Sequence, residues 1–312
     1  MNILFLGASK RVSLFERFIS SAEEIGIELQ IFSCELKNDF YPISGYAKIL
    51  AGPSFADSSF GDWLEDAIKK YNIDMVIPVM DSATVALGKY KLEHRSSHPW
   101  LVVSGYELCR SLEDKILAEE FFKKHGINTP ANTDNRFPKI AKPRTGFGAR
   151  GVQIFETKGK MDWFFNENKI EGYLVQDFIK GQETTVDFYV SPKSGLVGYV
   201  LRDRLEVSDG EVMTCITRVP SEKEKEMIEK IALLPGWCGC ITLQYIIDAE
   251  GRLYIVEINP RFGGGVTCSI EAGLDIPSYL MKEFLGQSFV FSGEIKEIKM
   301  TRARRDFFKK LN

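Results

Sequence analysis

The sequence predicts an α/β architecture over residues 1–107 and α+β architecture beyond. Three observations carry this. Short apolar strands alternate with helices from Ile3 to Val103, a glycine-rich segment separates two strands near Gly148, and a hairpin around Gly251 ends in polar residues spaced two apart. The alternation implies a doubly wound parallel sheet. The hairpins imply antiparallel pairing in the later regions.

In the first region, Ile3–Leu6 reads as a buried strand, and Gly7-Ala8-Ser9-Lys10-Arg11 as the turn into an amphipathic helix through Ile25. Leu29–Cys34 is a second strand and Asp62–Tyr71 a helix. Met75–Val79 is a strand, Thr84–Leu92 a helix and Trp100–Val103 a strand. Gly7-Ala8-Ser9 has one glycine and is not the dinucleotide fingerprint, and no P-loop pattern is present. Asp81 falls at the carboxyl end of a parallel strand, where ligands bind, or caps the helix that follows.

The second region, 108–176, begins with a helix, Lys115–His125, led by Asp114 and stopped by Gly126. Pro138–Lys142 and Val152–Phe155 are strands around Thr145-Gly146-Phe147-Gly148-Ala149-Arg150-Gly151. The bare N–H groups of such a loop can lie against phosphate oxygens, and Lys142 and Arg150 add positive charge there. A glycine-rich hairpin without a ligand remains the alternative.

The third region, 177–312, follows Val175-Gln176-Asp177-Phe178-Ile179 with Lys180-Gly181-Gln182-Glu183. Thr184–Val190 alternates as a strand. Leu196–Leu205 is another and carries Arg202 and Arg204 on one face, either as edge-strand charges or as a grip on a carboxylate or phosphate. A helix spans Glu222–Leu234. Ile241–Asp248 and Leu253–Asn259 form a hairpin. With Glu250-Gly251 as a two-residue tip, Gln244 falls opposite Glu257. Period two sets Glu257 and Asn259 on that same face, and such a trio of oxygen donors suits Mg²⁺. Pro260 ends the strand, Arg261 lies just past it, and Gly263-Gly264-Gly265 reads as a loop or a substrate wall. Lys299–Lys310 is expected to be a solvated terminal helix.

Composition limits the function classes. The net charge is −3 with signs interspersed, so neither nucleic acid nor membrane is an expected partner. No apolar run reaches the roughly 20 residues of a span, and no secretory leader is read at the start. Six scattered cysteines, including Cys238 and Cys240, read as reduced thiols. A cytoplasmic protein is expected. His94, His98 and His125 lie outside every motif, which argues against a histidine base or a serine triad.

Four elements in one order carry a resemblance. They are the helix start at Lys115, Lys142 before the glycine-rich hairpin, Gln176–Ile179 before Gly181-Gln182-Glu183, and Gln244 with Glu257-Ile258-Asn259-Pro260-Arg261. Together they resemble the ATP-grasp superfamily, and within it the carbamoyl-phosphate-synthase large-subunit-like group. The likeness covers nearly the whole chain. It implies a pre-ATP-grasp domain over 1–107, a lid subdomain over 108–176 and a C-terminal subdomain with the metal site over 177–312. ATP would lie between the two later lobes, beneath a mobile glycine loop.

Carried over residue by residue, the resemblance makes Lys115 and Lys142 the cations on the α- and β-phosphates. It places Gly148, Ala149, Arg150 and Gly151 in the lid. Gln176, Asp177, Phe178 and Ile179 form the hinge that reads adenine, and Glu183 holds the ribose. Gln244, Glu257 and Asn259 are the implied ligands of Mg²⁺, expected as two ions with Mn²⁺ as a substitute, and Gln244 also touches the nucleotide. Arg261, Lys142 and Arg204 are the implied catalytic groups. One departure is that many members carry two glutamates where this chain has Gln176-Asp177, which alters the side-chain contact to the adenine amine.

The expected activity is that of an ATP-dependent carboxylate–amine ligase, passing through an acyl-phosphate and releasing ADP and phosphate. Its partners would be a small carboxylate and an amine, with a homodimer as the assembly allowed for. Two alternatives stand beside it. One is a carbamoyl-phosphate-synthase-like subunit that phosphorylates bicarbonate or carbamate; the chain has a single ATP-grasp unit, and the complete reaction needs two. The other is an ATP-binding regulatory protein.

Overall fold

β1 (Asn2–Leu6) is apolar from Ile3 onward because both of its faces are covered there. Ile3 and Phe5 enter one hydrophobic core, Leu4 and Leu6 another, and all four are fully buried. The structure is a computed structural model that describes residues 1–94, 98–133, 136–146 and 148–311. The chain continues through α1 (Val12–Glu24), β2 (Gln30–Glu35), β3 (Lys48–Ala51), α2 (Phe60–Tyr71), β4 (Met75–Pro78), α3 (Asp81–Glu93) and β5 (Trp100–Leu101). These strands form a parallel sheet in the order β3-β2-β1-β4-β5, with the predicted doubly wound character. α1 covers one face through Phe15 and Phe18, whose rings lie 4.7 and 5.0 Å from Phe5.

Two helices, α4 (Tyr106–Glu113) and α5 (Lys115–Lys124), lead onward to β6 (Lys139–Pro143), β7 (Gln153–Phe155), α6 (Lys158–Glu167) and β8 (Tyr173–Asp177). Asp114 separates the two helices and caps the second, accepting from the N–H groups of Ile116 and Leu117 at 3.0 and 3.3 Å. The strands make a small antiparallel sheet, β7-β6-β8.

The rest of the chain is β9 (Gly181–Ser191), β10 (Gly195–Ser208), β11 (Glu211–Arg218), α7 (Glu222–Ala232), β12 (Gly239–Asp248), β13 (Leu253–Asn259), α8 (Val266–Glu271), α9 (Ile276–Phe284) and β14 (Lys299–Thr301). Its six strands form an antiparallel sheet in the order β13-β12-β9-β10-β11-β14. Under one face lies a core of Val186, Phe188, Leu201, Ile241, Leu243, Tyr245 and Ile258, closed by α7.

The structure overturns two expectations here. Lys299–Lys310 is not a terminal helix. Lys299, Met300 and Thr301 pair with Ile216, Cys215 and Thr214 of β11, and among the described residues no helix follows. An open edge of β11 offers a full set of backbone partners, whereas like charges four apart, as at Arg305 and Lys309, weaken a helix. Nor is β10 an edge strand. It sits between β9 and β11, so Arg202 and Arg204 do not guard a sheet edge. Among the described residues no helix is long and apolar enough to cross a membrane.

Candidate active site

The face of the six-stranded sheet opposite its apolar core is polar, and strand register explains why. Arg202 on β10 faces Thr185 on β9, Thr185 faces Gln244 on β12, and Gln244 faces Glu257 on β13. Cross-strand partners share a face, so these four form one row. Asp187 and Thr242 continue it, with Thr242 opposite Asn259. Their neighbours Val186, Leu201, Leu243 and Ile258 point the other way into the core. Period-two alternation thus turns four strands into a surface with one dry side and one chemical side.

Gln244 does stand opposite Glu257, but not through a two-residue tip. Asp248 N–H bonds to Arg252 O at 3.1 Å, so the tip is the three residues Ala249–Gly251, and the pairs above it are offset by one from the expected register. A bulge then falls between Tyr245–Ile255 and Gln244–Glu257, with Val256 as the extra residue. The two shifts cancel. Asn259 Nδ2 donates to Glu257 Oε1 at 2.5 Å, so a cation shared by the pair requires the amide to turn its oxygen inward.

Asp187 is the fully buried hub of the face. It accepts from Arg202 Nε at 2.9 Å, Thr242 Oγ1 at 2.7 Å and Ser269 Oγ at 2.7 Å. Burial pulls the Arg202 guanidinium down, but the adjacent carboxylate outweighs that and holds it above its ordinary value. Beside it, Arg204 Nε lies 3.1 Å from Glu183 Oε1. The face also holds buried polar atoms without a hydrogen-bond partner in the protein, Thr185 Oγ1 and Arg202 Nη1. Such atoms cost stability unless a ligand meets them.

The small sheet presents its own polar face. Lys142 Nζ donates to Gln176 Oε1 at 3.2 Å, and Gln176 Nε2 donates to Glu119 Oε2 at 3.0 Å. The Lys142 ammonium is lowered mainly by burial; Glu257 works against that and Lys115 adds to it, which places both beside it electrostatically. Lys115 Nζ also reaches Gly146 O at 3.1 Å. Asp177, next to Gln176, points to the reverse face and pairs there with buried Lys139 at 2.7 Å. The backbone N–H groups of Asp177 and Phe178 are taken by Ala131 O and Pro138 O, at 2.6 and 3.0 Å. Of the segment expected to read a base, that leaves the Gln176 side chain, the backbone carbonyls and the half-buried Phe178 and Ile179 side chains.

The glycine loop rests on the β10–β11 turn. Arg150 and Gly151 are exposed and Phe147 lies outside the described residues. A Cβ on Gly210 would stand 2.6 Å from the Gly148 carbonyl carbon and 2.9 Å from Ala149 N, so only glycine permits the approach. Gly210 O accepts from Arg204 Nη2 at 3.0 Å. The contact chain therefore runs from Glu183 through Arg204 to the loop.

Arg261 joins this region to the parallel sheet. Its Nε and Nη2 meet the two Asp81 oxygens at 2.9 and 3.0 Å, a bidentate pair. Asp81 is thus neither a free ligand nor a side-chain cap. Burial pulls Arg261 down, yet Asp81 and Glu257 outweigh it and hold it above its usual value. A cavity of about 610 Å³ runs along β8 beside α5, and of the sequence-derived site residues it touches Gln176 alone.

The residues present fit a divalent cation and a polyphosphate. One carboxylate and two carboxamides form a sparse set, but Mg²⁺ keeps several waters and takes further ligands from phosphates. Among the described residues no three His, Cys, Asp or Glu side chains gather as a metal cluster. The unpartnered Thr185 and Arg202 atoms supply the independent sign of a missing polar ligand. Cys238 and Cys240 are buried with raised thiols, chiefly through burial, and are not a reactive pair. Asp187, Thr185, Lys139, Arg11 and Arg302 were not singled out from sequence. Glu183, Thr185 and Asp187 at period two was the available signal for two of them.

A family model of the ATP-grasp domain matches residues 112–265. The carbamoyl phosphate synthase large chain of Clostridium botulinum (strain Loch Maree / Type A3) is 28% identical over 136 residues, which cover 40% of this chain and 13% of that protein. The chain therefore aligns with only a small fraction of that curated relative's length. Among solved structures, N5-carboxyaminoimidazole synthetase from Staphylococcus aureus, complexed with ADP, matches with a TM-score of 0.76 at 18% identity, over 97% of this chain and 82% of that one. L-amino acid ligase from Bacillus licheniformis matches with a TM-score of 0.70 at 16% identity, over 96% and 78%. The chain carries an ATP-grasp domain.

Proposed function

We propose that the protein is an ATP-dependent carboxylate–amine ligase that forms an acyl-phosphate and releases ADP and phosphate. The observation that carries this is the polar row Arg202–Thr185–Gln244–Glu257, facing Lys142 and ending beside Arg261. Phosphoryl transfer depends on alignment and charge neutralisation more than on proton relay. Gln244, Glu257 and Asn259 would hold Mg²⁺, which when bound draws charge from the phosphate oxygens. Lys115 and Lys142 would neutralise the α- and β-phosphates, and Glu183, held by Arg204, would take the ribose hydroxyls.

In the first half-reaction a substrate carboxylate oxygen forms a bond to the γ-phosphorus as the bond to the ADP oxygen breaks. Arg261 would steady the acyl-phosphate, with Asp81 fixing its plane. In the second, the amine attacks the carbonyl carbon and phosphate departs with the bonding pair, while the amine proton passes to solvent. Similarity to an L-amino acid ligase is compatible with this outcome. Similarity to part of the carbamoyl phosphate synthase large chain favours a second reading, in which bicarbonate or carbamate is the acid.

The test is ADP release from Mg·ATP with pooled carboxylates, with and without pooled amines, bicarbonate being a separate arm. Release that needs an organic acid and an amine supports the ligase. Release with bicarbonate alone moves the assignment to the second reading. Tight ATP binding with no release in any arm refutes both in favour of a nucleotide-binding regulator.

A further inference from the structure

Three guanidinium groups from separate parts of the chain close around Gly263-Gly264-Gly265. Arg11, in the turn after β1, donates through Nη2 to Phe262 O at 2.8 Å and Gly263 O at 2.7 Å. Arg302, just past β14, donates to Gly264 O. Arg202 places Nη1 where a Cβ of residue 265 would stand. Gly265 is needed because Arg202 occupies the volume that a side chain would fill, and Gly263 because Thr242 does. Gly264 alone is exposed, and its vacant Cβ position lies 3.8 Å from Arg302 Nη2 and 3.9 Å from Arg11 Nη1. One open point is thus within reach of two cations.

Their charge is poorly matched. Asp81 engages Arg261 and Asp187 engages Arg202. Glu211 approaches Arg302 to 3.5 Å but is mostly exposed. Among the described residues no carboxylate makes an ion pair with Arg11, and its Nε is buried without an acceptor. Burial, then repulsion from Arg261 and Arg302, brings Arg11 down to about 10. Carbonyl contacts brace the loop, but they do not neutralise guanidinium groups gathered this closely.

We propose that this arginine cluster binds a second anionic group, carboxylate or phosphate, on the acid substrate, remote from the carboxylate that is phosphorylated. The inference rests on the ligase reading above. Gly264 is three residues from Arg261, so their Cα atoms lie within roughly 11 Å of each other even at full chain extension, and both anionic groups belong to one small molecule. The substrate class is therefore a small dicarboxylate or phosphorylated acid. Bidentate recognition of such groups is what guanidinium does best.

The full chain saturated with Mg·ADP, so that the nucleotide site is filled, is titrated calorimetrically at fixed ionic strength. The probes are short monocarboxylates, dicarboxylates and phosphorylated acids matched in length. At least one dianionic acid is expected to bind about tenfold or more tighter than its monoanionic analogue. Arg302→Gln, and Arg11→Gln where it folds, should remove most of that preference and leave ADP affinity unchanged. The dicarboxylate and phosphorylated arms distinguish the two anion types. No preference in the wild type, or a preference kept by Arg302→Gln, overturns the proposal. A preferred acid that never yields ADP with any amine would instead overturn the ligase reading and leave the anion site standing.

Discussion

Replacing Arg202 with methionine tests whether the polar face is held by its buried ion pair. Arg202 and Asp187 have side-chain exposures of 2% and 0%. Breaking such a pair from one side strands a charge in a medium that cannot solvate it, typically at about 3–5 kcal/mol. Thr242 and Ser269 still donate to Asp187, so the loss should fall at the lower end, about 3 kcal/mol. A chain of this size moves its melting midpoint by roughly 2–4 °C per kcal/mol, giving a drop on the order of 6–12 °C. Asp187→Leu combined with Arg202→Met should recover much of it, because no charge is left unpaired. Differential scanning calorimetry of the three proteins reads the effect. A loss below about 1 kcal/mol for Arg202→Met, or a double variant no better than the single, would refute the reasoning.

Glu257→Gln should weaken Mg·ATP binding by tenfold or more, roughly 1.4 kcal/mol, and abolish turnover with the fold unchanged by circular dichroism; undiminished turnover would remove Glu257 from the metal site. Gly210→Ala should lift the glycine loop off its seat, since the added Cβ meets Gly148 at 2.6 Å. Trypsin cleavage at Arg144 and Arg150 should then rise several-fold, with a stability loss of only about 1 kcal/mol from the positive φ. Glu224 gives a pH signature. Burial opposes its charge, but Arg218, Tyr245 and Ser221 outweigh that and hold the carboxyl down at about 2. A depressed carboxyl adds stability above its unfolded value near 4.5 and loses it as pH falls toward 2. Glu224→Gln should therefore cost about 3 kcal/mol at neutral pH, with the difference from wild type shrinking below pH 4.5; a pH-independent difference would contradict this.

What the sequence made legible was local. Glu257, Asn259 and Pro260 share one strand end, so period two was enough to place them, and the alternation of strand and helix up to Val103 gave the parallel sheet. What it hid depends on register between distant strands. Asp187 becomes a hub only when β9 pairs with both β10 and β12. Arg11 and Arg302 meet at Gly264 across nearly the whole chain, and no local pattern encodes that meeting. The hairpin is the instructive case. Its three-residue tip and its bulge each shift the pairing by one, and only their sum returns Gln244 to Glu257. Short elements such as β3, α4 and β14 were missed or misread because their pattern is brief and their pairing decides them.

The acyl-phosphate is the centre of the account, and isotope transfer tests it most directly. An acid that supports ADP release is supplied with ¹⁸O in its carboxylate, and the released phosphate is weighed by mass spectrometry. The account predicts one labelled oxygen in each phosphate, carried over from the carboxylate when the amine displaces it. Phosphate that takes its new oxygen from water alone would mean that the carboxylate never attacked phosphorus, and the ligase assignment would fall.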